Sequence, residues 1–210
     1  GQYYHQGIYR TEDAGVTWTR SDAGLIEDKV IEITTHPTRP FEAWAGQQSS
    51  RGMYRTKDGG QTWSLSPGLL THYPMRLAYI PGSDDGLVHT SLHTGEDFGT
   101  SPNDGVSWTI LSEQTFFKAL SEEGKKLYDE SLNRNSNLHL HGLAIDPKNP
   151  QTIYVGSVHD ESPFNAKPLT GAHIFKSTDG GVTWAESDTG FEISAKTAIH
   201  DIEIDPTSAE

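Results

Sequence analysis

Two groups of residues in this 210-residue chain have the types and the spacing for chemistry. The first is histidine. His139 and His141 stand two apart, which puts both on one side of an extended strand, and His159 follows shortly after. When the segments ending at Pro81, Pro147 and Pro206 are aligned on those prolines, Met75, His141 and His200 fall at one equivalent position. Imidazoles converging from neighbouring segments bind a transition metal or hydrogen-bond a sugar or a peptide. A His-x-His pair is also an ordinary structural feature, and a metal site needs outer hydrogen-bonding support that spacing does not supply. His139, His141, His159 and His200 are therefore read as a binding group, with no metal and no cofactor assigned. The second group is carboxylates. Glycan cleavage needs two of them facing one another about 5–9.5 Å apart. Glu32, Asp201 and Glu203 lie on or near strand-like segments, where solvated surface acids are equally at home, and no catalytic residue is assigned.

A further set of acids recurs. Asp13, Asp58 and Asp179, with Asn103 in the same place, occupy the third position of an eight-residue motif, Ser/Thr-x-Asp-x-Gly-x-Thr-Trp, which the third copy varies with Asn and Ser. The third positions, 13, 58, 103 and 179, are 45, 45 and 76 residues apart, one period kept twice and then lengthened by an insertion. The motif reads as a tight turn. Its glycine tolerates positive φ, the Asp accepts hydrogen bonds from turn amides and the first Ser/Thr adds another. Asn103 keeps the acceptor without the charge. Trp18, Trp63, Trp108 and Trp184 then begin the following strand, each ring packing while its indole N–H seeks a carbonyl. As metal ligands or catalytic carboxylates these residues would have to converge, and equivalent positions of successive units point outward around an array.

The elements around the turn repeat too. Residues 30–33, 41–46, 53–56 and 62–65 read as four strands broken by Pro37, Pro40, Gly52 and Asp58-Gly59-Gly60, and sets of four recur at 75–111 and 141–184. The ends are partial: 7–11 and 17–19 supply a third and fourth strand, 199–204 only a first. Four strands per unit is a propeller blade. The expected fold is all-β, an open-arc partial β-propeller clipped from a longer ring. Its divisions are 1–20 the end of a blade, 21–67 a blade, 68–112 a blade, 113–136 an insertion, 137–190 a blade and 191–210 the first strand of the next. Helix formers dominate the insertion, and Ser121 with Glu122 and Glu123 resembles a helix cap and acidic first turn. Such an insertion is a place for specific function or a variable surface loop.

Composition narrows the function classes. Hydrophobic residues make up 33%, with 21 Gly and 11 Pro, as expected of many short strands joined by turns. Sixteen basic against twenty-nine acidic residues give a net charge of −13, with no basic run, which disfavours nucleic acid and anionic membranes. No apolar stretch is long enough to span a bilayer. The absence of cysteine excludes disulfides and thiolate chemistry without identifying a compartment.

As they stand, the four motifs resemble the Asp-box, or BNR repeat, of sialidases, sortilin-type receptor domains, xyloglucanase-like glycoside hydrolases and photosystem II assembly-factor propellers. The phrases Gly-(Ile/Met)-Tyr-Arg-Thr-x-Asp and Ile145-Asp-Pro-Lys-Asn-Pro-Gln-Thr-Ile-Tyr-Val-Gly156 are especially similar to bacterial BNR-repeat glycosyl-hydrolase-like proteins. The resemblance implies the propeller fold. A sialidase would need an arginine cluster for the substrate carboxylate. Arg10, Arg20, Arg39, Arg51, Arg55, Arg76 and Arg134 include two, Arg10 and Arg55, that belong to the repeat, and no sialidase signature accompanies them. The expectation is a non-catalytic, extracytoplasmic scaffold that uses the channel face and 113–136 to bind a protein or glycan, the competing one a glycoside hydrolase completed by further blades.

Overall fold

Short apolar runs separated by Gly-, Pro- and Asp-bearing turns fold as antiparallel meanders in the computed structural model of the chain. It describes residues 7–26, 29–47, 52–66, 68, 74–91, 98–122, 124–125, 139–158, 172–191 and 198–207. β1 (Tyr9–Arg10) pairs with β2 (Thr19–Arg20). The next sheet is β3 (Val30–Thr35), β4 (Ala43–Gln47), β5 (Met53–Thr56) and β6 (Ser64–Leu65). It is followed by β7 (Pro74–Tyr79), β8 (Leu87–Ser91), β9 (Phe98–Ser101) and β10 (Thr109–Leu111). After the helix α1 (Glu113–Ala119) come β11 (His139–Ile145), β12 (Ile153–Val158), β13 (Ile174–Ser177) and β14 (Ala185–Glu186). Every sheet keeps chain order, so the fold is all-β, a half-blade and three four-stranded blades of an open, partial β-propeller. Among the described residues no helix is long and apolar enough to cross a membrane.

Two expected features differ. Each motif tryptophan stands one residue before its fourth strand rather than in it. The segment 199–204, expected as a first strand, carries no strand pairing. A ladder needs a second strand beside it, and none lies there among the described residues. Ile199 nevertheless donates its N–H to the Ser157 carbonyl at 3.1 Å.

The core lies between blades. Ile8 of the half-blade meets Ala45, Tyr54 and Trp63. Trp44 and Met53 meet Leu77 and Leu87 of the next blade. Val88 and Phe98 meet Leu140, Ile153, Val155 and Phe175 of the one after. α1 belongs to this last layer: Phe116 is fully buried, with ring centroids 6.2 Å from Phe98, 5.3 Å from Phe175 and 5.1 Å from Trp184. One face of the insertion is thus built into the core. A second helical turn begins at Ser121, whose Oγ accepts the Gly124 N–H at 3.1 Å and whose carbonyl accepts the Lys125 N–H at 2.8 Å. The rest of the insertion, 126–136, lies outside the described residues.

The repeated turn satisfies its own polar groups. Asp58 Oδ1 accepts the Thr62 N–H at 2.9 Å and the Thr56 hydroxyl at 2.8 Å, and Oδ2 accepts the Thr62 hydroxyl at 2.6 Å. Asp13 and Asp179 make the same set. The first hydroxyl accepts the glycine N–H in all four copies, at 2.8–2.9 Å. Asn103 keeps the acceptor at Oδ1 and donates from Nδ2 to the Ser107 hydroxyl at 2.9 Å. The bonds from Thr17, Thr62 and Thr183 hold the three aspartates down at about 2. Both central residues of the turn are left-handed, Ala14 at φ 56° and Asp104 at 54° included. The indoles of Trp18, Trp108 and Trp184 donate to the glycine carbonyl of their own turn at 3.1–3.2 Å. Trp63 donates instead to the Ser21 carbonyl at 2.7 Å, because the Ser21 hydroxyl takes the Gly60 carbonyl.

His89 on β8 is fully buried, stacked edge-on to Trp108 at 5.0 Å and lying over Gly99, and burial pushes its imidazole down to about 3. The unfolded chain takes up a proton near pH 6.5 that the folded chain refuses, so stability falls as pH drops from about 6.5 toward about 3, by on the order of 4 kcal/mol from this group. Urea unfolding across pH is expected to show this slope in the wild type and not in His89→Leu. The depressed aspartates add a second loss between about pH 4 and pH 2, seen in both proteins, since their stabilisation is present only while they are ionised. Phe116→Ala is expected to destabilise by about 3–5 kcal/mol in the same assay, whereas exposed Lys118→Ala stays within about 0.5 kcal/mol.

Candidate functional site

The first strands β3, β7 and β11 lie side by side and form the inner face of the arc. Each carries a bulge at the same place. Pairing skips one residue between Val30 and Glu32, Pro74 and Arg76, and Leu140 and Gly142. The unpaired residues are Ile31, Met75 and His141, each six before a proline (Pro37, Pro81, Pro147), as His200 is before Pro206. A bulge re-aims the side chain that it leaves unpaired. His141 and His200 meet with Nδ1 atoms 3.2 Å apart and ring centroids 5.1 Å apart, nearly perpendicular. At that distance one ring donates an N–H to the lone pair of the other, so the two facing nitrogens share one proton.

The bulge also undoes an expectation. Alternation places His139 and His141 on one side of β11, but the extra residue interrupts it. His139 is buried, at 3% exposure, and it is His141 that reaches His200. His159 lies outside the described residues. The inner strands cross close over the second strand of the preceding blade: a Cβ on Gly46 would come to 2.7 Å of the Pro74 ring, one on Gly156 to 2.3 Å of the Ile199 side chain. At the equivalent place the Thr90 hydroxyl donates to the His141 carbonyl at 3.2 Å.

One residue beyond the bulges the level reads Glu32, Arg76, Gly142 and Asp201. Arg76 reaches both ways. Its Nη1 is 3.7 Å from Glu32 and its Nη2 3.6 Å from Asp201. Nη2 also lies 3.5 Å from the His200 carbonyl. Burial pushes the Glu32 carboxyl up, against the opposing pull of Arg76. Two of the carboxylates considered from sequence are thus brought to one guanidinium beside the histidine pair, and Glu203 is exposed. The level offers a cation, two carboxyl groups and imidazole donors and acceptors, a set suited to a hydroxyl-rich or amide ligand.

A second cluster escaped the reading of the sequence. His173 Nδ1 lies 2.9 Å from Glu186 Oε1 and 2.8 Å from Asp188 Oδ2, all three side chains largely buried. His173 stands just before β13, Glu186 on β14 and Asp188 just after it. The available signal was departure from the repeat. In register, His173 replaces Gly52, and Glu186 replaces Leu65 and Ile110.

Comparison with known proteins bears on the fold. The model of the BNR/Asp-box repeat matches residues 54–65. No curated protein matches the chain significantly in sequence. Among solved structures, an ancestral GH74 enzyme superposes with a TM-score of 0.62 at 16% identity, over 89% of this chain and 22% of that one. The GH74 xyloglucanase from Xanthomonas campestris gives 0.60 at 14% identity, over 87% and 27%. YCF48 bound to D1 peptide gives 0.50 at 16%, over 86% and 47%. The chain spans less than half the length of each. Together, these findings give the chain the fold of a partial β-propeller and a BNR/Asp-box repeat at residues 54–65.

Proposed function

We propose that the chain is a non-catalytic binding or assembly scaffold whose inner-strand face takes a protein or glycan partner. The observation that carries this reading is the level formed by His141, His200 and Arg76, with Glu32 and Asp201 beside the arginine. These residues come from successive blades and differ from copy to copy. The repeated turns, by contrast, spend their acceptors on their own amides and hydroxyls, leaving little for a ligand. A protein of the same fold, YCF48, has been solved bound to a peptide, which supports a peptide as one partner class.

A second reading rests on one feature of the same level. Glu32, raised by burial, and Asp201 flank Arg76. A pair of carboxyls, one of them held protonated by its surroundings, is what glycoside hydrolysis uses, Glu32 is the one raised here, and the GH74 enzymes share the fold. Here the chain would be part of a glycoside hydrolase, xyloglucanase-like or sialidase-like, completed by other blades.

Glycan and peptide arrays probed with the chain are expected to give specific binding that Arg76→Ala and His141→Ala each weaken at least tenfold with the fold intact by circular dichroism. Binding equal in all three proteins would remove the inner face from consideration. A reducing-sugar assay of the full-length protein on xyloglucan is expected to release nothing. Release that Glu32→Gln and Asp201→Asn abolish would put the hydrolase reading in place of the scaffold.

A further inference from the structure

We propose that His173, Glu186 and Asp188 form a divalent transition-metal site, best suited to zinc, at the corner where the helical insertion docks on the blade of residues 137–190. The site is separate from the inner face and does not depend on the scaffold reading. One imidazole nitrogen and two carboxylate oxygens are a donor set for zinc, cobalt or manganese. The nitrogen is 2.9 Å and 2.8 Å from the two oxygens, and metal bonds of about 2.0–2.2 Å in a tetrahedral arrangement set donors about 3.3 Å apart. The three side chains would have to part by about half an ångström.

The backbone under the donors is fixed. His173 donates its N–H to the Ser157 hydroxyl at 2.8 Å and accepts the Ser157 N–H at 2.9 Å. Glu186 sits in the β13–β14 ladder opposite Phe175, and Ser187 donates to the Ile174 carbonyl at 2.7 Å. The second oxygen of Glu186 is already occupied: it accepts the Ser121 N–H at 2.9 Å. A hydrogen bond to the oxygen that faces away from the donor cluster is the outer support that orients a ligating carboxylate. It also ties the cap of the second helical turn to the cluster.

Charge favours an ion as well. The side chains are 6%, 15% and 14% exposed, which sets two carboxylates close together away from solvent. A divalent ion offsets both carboxylate charges, and an imidazole nitrogen completes a set of donors to it. The combination is particular to this blade: the equivalent positions hold Leu65 and Pro67 in one blade, Ile110 and Ser112 in the next, and an Arg20–Asp22 ion pair beside Gly7 in the half-blade.

The 210-residue chain, treated with chelator and dialysed, is to be titrated with zinc by calorimetry. One ion per chain is expected, with affinity lowered at least tenfold in Asp188→Asn and in Glu186→Gln and unchanged in Glu122→Gln, an exposed acid of the insertion. Absence of stoichiometric zinc, or a loss smaller than tenfold in both isosteric variants, overturns the proposal. Should a variant fail to fold, X-ray absorption of the zinc-loaded wild type decides: a single imidazole with oxygen ligands supports the site, and two or more imidazoles overturn it.

Discussion

At Gly105 the repeated turn of one blade is pressed against the indole of Trp44 in the blade before it, so closely that a Cβ would come to 2.4 Å of the ring. The same contact recurs at Gly181, where Phe98 would lie 2.8 Å away, and at Gly60, where the Ser21 hydroxyl would lie 2.6 Å away. All three glycines have positive φ, a backbone that other residues adopt only at a cost. Blade can follow blade at this spacing because the turn presents bare backbone to its predecessor. The aspartate and the hydroxyls hold that backbone in shape from the solvent side.

Around this contact a second tie repeats. Arg10 donates to the Gly59 carbonyl at 3.0 Å, and Arg55, equivalent to it one blade later, approaches the Asp104 carbonyl at 3.5 Å and pairs with the Asp104 carboxylate. Each arginine of the Tyr-Arg-Thr phrase therefore grips the fourth motif position of the next blade. Arg39 joins the second tie, with Nη2 2.9 Å from Asp104 and Nη1 3.0 Å from Asp85. His36 adds a neutral link, since Nδ1 accepts the Arg39 N–H at 2.9 Å and Nε2–H can then donate to the Asp84 carbonyl at 2.7 Å. The turn-bearing end of the array is thus committed to holding blades together. Chemistry that varies from blade to blade is left to the bulged starts of the inner strands and to the corner at His173.

What could be read beforehand divides along the same line. The turn was legible because its partners are two to four residues apart, so type and spacing determine the bonds. The meeting of His141 with His200 was legible through their common distance from a proline. The bulge that follows His139 was not legible, because it is a matter of pairing across strands, which a two-residue alternation cannot register. The partner of Trp63 was equally hidden, being set by Ser21 some forty residues earlier. The insertion was recognisable as helical and as capped at Ser121, yet its role as a wedge through Phe116 depends on three rings contributed by two blades.

The sequence by itself determined the repeat, the four-stranded unit and the turn chemistry, because each is encoded within a few residues and repeated often enough to be unmistakable. Tertiary structure alone decided which side chains meet: Arg76 spanning Glu32 and Asp201, and His173 between Glu186 and Asp188. Those encounters depend on the angle and spacing at which blades pack and on single-residue shifts in strand register. Neither is a property of any local stretch of chain.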